Sequence, residues 1–239
     1  MCAKRLLSAV LMLALSGGNA AGQGGRADAR ELIRRGNEMY ARAEYEAAIK
    51  EYGRVPAGAG EAYAQSLYNV GVCYYELWRT EEAITMYRRA AEAGGGRYPK
   101  AFYALGVALE DLKRLPEAKE AYGQAVAASR GRHAPALYRT GLIAAREGDY
   151  ELAATYFRQA SARSENQFPN SHNNLGVMLA LTGRLAEAVL EFDLALRQAG
   201  GDFDEAAYNL RLCRTMLAGG ARTQLGSLRI VEAIATPVE

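Results

Sequence analysis

Few side chains in this 239-residue chain are suited to catalysis or metal binding. The two histidines are His133, in a predicted loop, and His172, inside a predicted helix where packing is the simpler interpretation. The sequence contains no glycine-rich phosphate loop, no Gly-x-Ser-x-Gly elbow and no His-Glu-x-x-His pair. We therefore predict a protein that is not an enzyme, with no catalytic residue, no metal site and no cofactor.

The composition excludes several classes of protein. Apolar residues make up 50% of the chain and charged residues 23%, with 25 Gly, 6 Pro and 3 Cys. These proportions exclude collagen-like, disulfide-scaffold and disordered proteins. One or two soluble domains are expected.

Residues 1–21 have the pattern of a cleavable signal peptide. Lys4 and Arg5 precede an apolar stretch over residues 6–15, and small residues follow up to Ala21. The apolar stretch is about half as long as the roughly 20 residues that a spanning helix needs. We expect cleavage after Ala20 or Ala21, no stable membrane span afterwards, and a location in the bacterial periplasm.

Cleavage of this signal would leave a neutral chain. The full sequence has 29 Lys and Arg against 27 Asp and Glu, and loss of Lys4 and Arg5 leaves 27 of each. Since nucleic-acid binding depends on neutralising many phosphates, we predict no nucleic-acid partner.

A repeat of 35 residues organises the rest of the sequence. A glycine, an alanine twelve residues later, an aromatic residue four further on and a small residue three beyond that recur in register five times. The four sets are Gly36, Gly71, Gly106, Gly141 and Gly176; Ala48, Ala83, Ala118, Ala153 and Ala188; Tyr52, Tyr87, Tyr122, Phe157 and Phe192; and Val55, Ala90, Ala125, Ala160 and Ala195.

Each repeat carries two segments with helical periodicity. In the second repeat, apolar residues recur at spacings of three and four over residues 67–74 and again over residues 83–90. The small Gly and Ala residues let the two helices approach closely, and the aromatic residue fills the remaining gap. Pro99, Pro135 and Pro169 stand near the starts of later repeats. We therefore predict stacked antiparallel helix pairs and an all-α fold.

These residues resemble the tetratricopeptide repeat (TPR) family. The motif is carried by Leu67-Tyr68-Asn69-Val70-Gly71, by Phe102-Tyr103-Ala104-Leu105-Gly106 and by Asn173-Asn174-Leu175-Gly176. The resemblance covers residues 29–218, with five repeats starting near residues 29, 64, 99, 134 and 169 and a capping helix at 204–217. The period of 35 exceeds the usual 34 by one loop residue. The resemblance implies a right-handed superhelical solenoid.

In this family the first helices line the concave side of the superhelix, and the positions three before and one after the fixed glycine face the groove. Tyrosine occupies the first position in four repeats, which offers the flat apolar area and polar tip of a peptide-binding surface. The first position holds Ile33, Tyr68, Tyr103, Tyr138, Asn173 and Tyr208, and the second holds Asn37, Val72, Val107, Leu142, Val177 and Leu212.

Some family members grip a C-terminal carboxylate with Lys, Asn and Arg side chains from three repeats. The matching positions hold Ile33, Asn37, Asn69, Lys100 and Ala104, and Arg34 lies beside the first. The resemblance implies a weakened site for a carboxylate or another anion here.

Cys73 and Cys213 would be the thiols of the exported chain. They occupy the same position in repeats that lie four apart. With neighbouring helices roughly 8–10 Å apart, the distance between the two Cα atoms exceeds the limit of roughly 7 Å for a disulfide. We predict buried, free cysteines.

Residues 219–239 lack the repeat pattern. Gly219-Gly220 gives a flexible start, and residues 228–234 are apolar enough to fold back on the last helix or to add a strand to a partner. We predict a flexible tail, with either role open.

The sequence as a whole predicts an interaction scaffold or adaptor of the cell envelope that binds a partner peptide or helix in its concave groove. Two alternatives remain. One is an accessory protein that binds a small ligand or lipid for a transporter or an envelope assembly machine. The other is a structural protein that self-associates into a homo-oligomer.

Overall fold

The computed structural model describes residues 17–164, 167–219 and 222–232. The apolar stretch of the predicted signal, residues 6–15, lies outside this range. Over the described residues the chain is helical and contains no strand, which confirms the predicted all-α fold. The chain forms two compact units, the first ending at Leu112 and the second beginning at Lys113.

The first unit contains two complete helix pairs and the first helix of a third. Consecutive helices pack against each other, and α1 also contacts α3. The helices are α1 (Gly17–Ala41), α2 (Tyr45–Tyr52), α3 (Glu61–Glu76), α4 (Thr80–Ala93) and α5 (Pro99–Asp111), with a short 3-10 turn at Ala57–Ala59.

The second unit continues the alternation of first and second helices. Consecutive helices again pack together, and the first helices α9 and α11 also contact each other. The helices are α6 (Leu115–Ala128), α7 (Ala134–Arg146), α8 (Tyr150–Arg163), α9 (Pro169–Leu181), α10 (Leu185–Gln198) and α11 (Asp204–Leu217), followed by a 3-10 turn at Arg222–Ser227.

Close helix packing depends on the repeated glycine and its aromatic partner. A Cβ atom placed on Gly36, Gly71, Gly141 or Gly176 would lie 2.3–2.8 Å from the ring of the aromatic residue sixteen positions later. Real Cβ atoms do not approach carbon that closely. The aromatic ring therefore occupies the space that a side chain at the glycine would need, as the repeat pattern predicts.

The turns inside the helix pairs are also repeated. Residues 43, 78, 113, 148 and 183 all have φ between 58° and 86°, and they are spaced by 35 residues. Gly148 and Gly183 adopt this left-handed conformation without steric cost, whereas Ala43, Trp78 and Lys113 are side-chain-bearing residues held there by the fold. The turn geometry is thus more constant along the chain than the residue type.

Local signals start several helices. Pro99 and Pro169 occupy the first turns of α5 and α9, where a missing N–H costs nothing. The imidazole of His133 accepts a hydrogen bond of 3.1 Å from the Ala136 N–H at the start of α7. The Asp149 carboxylate does the same for the Leu152 N–H at 3.1 Å in α8. His133 therefore has a capping role.

Both described cysteines, Cys73 and Cys213, are free and buried. Burial raises the pKa of the Cys73 thiol to about 12 and that of the Cys213 thiol to about 11. We expect neither thiol to react with an alkylating reagent at pH 8 in the native protein and both to react after denaturation, as counted by mass spectrometry. A dimer that disappears on reduction would contradict this expectation.

Candidate functional site

A set of fully buried polar side chains marks one face of the second unit. Asn173, Asn174 and Asn209 have no exposed surface, and neither does Tyr138. These residues come from α7, α9 and α11, and we call the surface that they form the first-helix face. Because a buried polar group needs hydrogen-bond partners, this burial requires a polar occupant.

The occupant is the chain's own C-terminal segment, residues 228–232. Asn209 Oδ1 accepts the backbone N–H of Arg229 at 2.9 Å, and Asn209 Nδ2 donates to the backbone oxygen of Arg229 at 2.9 Å. One side-chain amide thus satisfies both main-chain groups of one residue. We call this arrangement an amide clamp.

Asn174 forms a second amide clamp two residues further along the segment. Its Oδ1 accepts the Val231 N–H at 2.9 Å, and its Nδ2 donates to the Val231 oxygen at 2.8 Å. The Tyr138 hydroxyl also donates to the Val231 oxygen. Since alternate residues face the same side, the segment has the two-residue period of an extended strand.

Asn173 links the two clamps. Its Nδ2 donates to the Arg229 oxygen at 3.0 Å and to Asn174 Oδ1 at 3.1 Å, while its Oδ1 accepts from Asn209 Nδ2 at 2.9 Å. Asn174 Nδ2 in turn lies 2.9 Å from the Tyr138 hydroxyl oxygen. Burial raises the pKa of Tyr138, so its hydroxyl stays protonated and available as a donor. The network is connected throughout, which favours a single rigid arrangement.

Two side chains of the segment carry charges of opposite sign, and they contact α11 and α7. The Arg229 guanidinium stacks 4.0 Å from the centre of the Tyr208 ring. The Glu232 carboxylate pairs with the Arg146 guanidinium at 3.2 Å. The amide clamps contact only main-chain atoms of the segment, whereas these two contacts involve its side chains.

Apolar contacts complete the site. Leu225 and Leu228 are half-buried and pack against the hydrophobic core of the second unit. Ile230 is exposed, with 38% of its surface accessible. Backbone, charged and apolar contacts therefore hold the described part of the predicted flexible tail on the first-helix face. Of the two predicted roles, this arrangement is the fold-back on the chain rather than a strand added to a partner.

Three of the residues singled out from the sequence meet at this site, namely Tyr138, Asn173 and Tyr208. Sequence reasoning missed Asn174, Asn209 and Arg146. Asn174 and Asn209 both lie two residues before the glycine position of the repeat, and Asn69 occupies the same position in the second repeat. That recurrence was a usable signal.

The predicted groove tyrosines of the first unit lie elsewhere. Tyr68 is half-buried, and its ring centre lies 5.8 Å from that of Tyr87 and 5.6 Å from that of Tyr98. Burial raises its pKa. Tyr103 is also half-buried. Tyr68 is thus partly engaged in packing.

The residues of the implied anion site also lie in the first unit. Asn37 Oδ1 accepts the Tyr52 hydroxyl at 2.7 Å and lies 3.4 Å from Asn69 Nδ2. Arg34 is exposed and pairs with Glu31 at 2.8 Å and with Glu38. Lys100 is exposed beside a cleft lined by Glu61, Arg97 and Tyr98. Since Arg34 already faces two carboxylates of its own helix, the anion site stays a prediction.

His172 lies in the protein core. It is 4% exposed, and its Nδ1 lies 2.7 Å from Glu191 Oε2. Over the residues whose structure is described, no group of three or more His, Cys, Asp or Glu side chains could hold a metal ion. In the same range, no helix has the length and apolar character needed to cross a membrane.

Comparison with solved structures gives TPR proteins. YrrB, described as a TPR protein with an unusual peptide-binding site, is 23% identical, with a TM-score of 0.59 over 81% of this chain and 97% of that one. A TPR protein from Parabacteroides merdae is 17% identical, with a TM-score of 0.60 over 80% and 74%. MamA from Desulfovibrio magneticus is 18% identical, with a TM-score of 0.57 over 73% and 97%. These similarities show the fold.

Comparison with curated proteins gave no match. The tetratricopeptide repeat model matches residues 26–99, 79–133, 103–167 and 138–203, which together span well over half of the sequence. These matches run through both units, include α7 and α9 of the first-helix face, and end just before α11. The chain belongs to the tetratricopeptide repeat family.

Proposed function

We propose that this protein is an adaptor of the cell envelope that binds an extended peptide segment of a partner protein on the first-helix face. The TPR fold is that of a protein–protein interaction scaffold. The observation that carries the finer proposal is the pair of amide clamps, Asn174 and Asn209, which hold the main chain of residues 229 and 231. The location rests on the signal pattern at the N-terminus.

The chemistry of the clamps suits recognition of a peptide. Main-chain bonds supply affinity for any extended segment, while adjacent side chains supply the choice between sequences. Both carbonyl oxygens in the clamps accept two hydrogen bonds, so the peptide's strongest acceptors are fully satisfied. The face is built on helices and so loses little ordering entropy on binding.

The chain's own tail is the natural competitor of such a partner. It is joined to α11 by a short connection, and a short tether gives an effective concentration in the millimolar range. A partner must therefore displace residues 228–232 from the first-helix face, or bind to this face while these residues are undocked.

Binding of a peptide in trans tests the proposal. The full chain carrying Arg229→Pro and Val231→Pro lacks the two N–H donors of its own segment, which weakens the competitor. We expect this variant to bind a fluorescent, C-terminally amidated peptide with the sequence of residues 225–232, measured by anisotropy, at least about tenfold more tightly than the parent does.

Two further variants in the same background identify the site. Asn174→Ala with Asn209→Ala is expected to abolish this binding. Asn69→Ala, which changes the same residue type at the same repeat position in the first unit, is expected to leave the affinity within about twofold. Absence of peptide binding in the tail-released variant would refute the proposed function.

A further inference from the structure

The two side-chain contacts at the ends of the tail define a charge register on the first-helix face. Tyr208 lies under the cation at position 229, and Arg146 lies against the carboxylate at position 232. The two contacts are three residues apart in the bound segment. Between them, the clamps fix the main chain at positions 229 and 231, so the segment cannot slide by one residue without losing both clamps.

Resting on the proposed function, we infer that the site selects extended partner segments with a basic side chain three residues before an acidic one. The basic side chain stacks on Tyr208 and the acidic one pairs with Arg146. A half-buried aliphatic residue directly before the basic one, as at Leu228, completes the pattern. The position after the basic residue is open to any side chain, since Ile230 is exposed.

The orientation of the bound segment follows from the same contacts. The first clamped residue lies on α11, the second on α9, and the acidic residue reaches α7. A partner segment therefore runs in the direction opposite to the repeats, with two of its residues per repeat. A segment of reversed direction would place its acid against Tyr208 and its cation against Arg146.

The partner is a segment of a different protein. The tail of a second copy has the same sequence as the chain's own tail and therefore the same contacts to offer. The chain's own tail competes better than the tail of a second copy, because the tether gives it a higher effective concentration at the site. A foreign segment that makes better apolar or charged contacts can overcome this advantage.

Peptides of identical composition test the charge register. The tail-released chain carrying Arg229→Pro and Val231→Pro is titrated with the amidated peptide of residues 225–232 and with an isomer in which its Arg and Glu are exchanged. Each native contact is worth a few-fold in affinity, and each exchanged contact is repulsive or unfavourable. We expect the isomer to bind about tenfold more weakly at low salt, with the difference shrinking at high salt.

A charge reversal on the protein separates this inference from simple loss of affinity. Arg146→Glu should weaken binding of the parent peptide and strengthen binding of a peptide whose final Glu is replaced by Arg. Equal binding of both isomers, with no effect of Arg146→Glu, would overturn the register while leaving the proposed function intact. Failure of both isomers to bind would remove the proposed function itself.

Sedimentation of the parent chain tests the choice of occupant. We expect a constant mass over the micromolar range. A dimer that disappears in the tail-released variant would identify a second copy as the occupant and overturn the assignment to a foreign segment.

Discussion

Replacing both Asn174 and Asn209 with Ala is expected to release residues 228–232 and to expose the Arg229–Ile230 bond to a protease that cleaves after arginine. The two substitutions remove four hydrogen bonds to the tail backbone. At about 0.5–1.5 kcal/mol net for each bond, the clamps contribute several kcal/mol to tail docking. The rate of cleavage at Arg229 should therefore rise at least about tenfold, measured by mass spectrometry of the shortened chain.

The same variant separates tail docking from folding. Alanine favours helix more than asparagine does, so α9 and α11 should keep their helical signal in circular dichroism. Asn69→Ala provides the matched control and should leave cleavage at Arg229 unchanged. Equal protection of Arg229 in the double variant and in the parent would show that the clamps do not hold the tail.

The helix pairs could be predicted because the residues that let two helices pack closely recur in the sequence at a fixed period. Gly176 and Phe192 fit together in one repeat in the way that Gly36 and Tyr52 do in another. The 35-residue spacing places the same residue types at these positions in every repeat. Periodicity of this kind needs no knowledge of tertiary contacts.

The site could be predicted only in part, because the tail is bound mainly through its backbone. Main-chain N–H and C=O groups are the same for every residue type except proline, so the sequence of residues 228–232 carries little sign of the clamps. Tyr138 and Asn173 were found because their repeat position faces the groove in the family. The fully buried pair Asn174 and Asn209 required the fold-back of the tail to explain its burial.

The prediction of four groove tyrosines treated the same repeat position as equivalent throughout. Tyr138 is fully buried and donates to the tail, Tyr208 stacks on Arg229, and Tyr68 packs between other aromatic rings. What distinguishes these residues is the neighbour that covers them. A single repeat motif contains no information on that neighbour.

Gly176→Ala is expected to destabilise the protein by about 1–3 kcal/mol, the usual cost of overpacking a core. The new Cβ atom would lie 2.7 Å from Cε1 of Phe192, whose side chain is fully buried. The control is Gly123→Ala in α6, where a new Cβ atom meets no atom within 4 Å. Alanine there removes only the helix penalty of glycine and should stabilise the protein by roughly 0.5–1 kcal/mol. Chemical denaturation of the two variants should therefore move the midpoint in opposite directions.

A double variant shows whether the aromatic ring is the cause of that destabilisation. Phe192→Leu removes the ring atoms that the new Cβ would meet and costs stability by itself because it leaves a cavity. If the clash dominates, the loss in Gly176→Ala with Phe192→Leu is smaller than the sum of the two single losses by about 1 kcal/mol or more, which is a coupling typical of residues in contact. Additive losses would mean that Gly176 is required for its backbone alone. The close helix approach within the pair, and with it the position of Asn174 on the same helix, would then need another explanation.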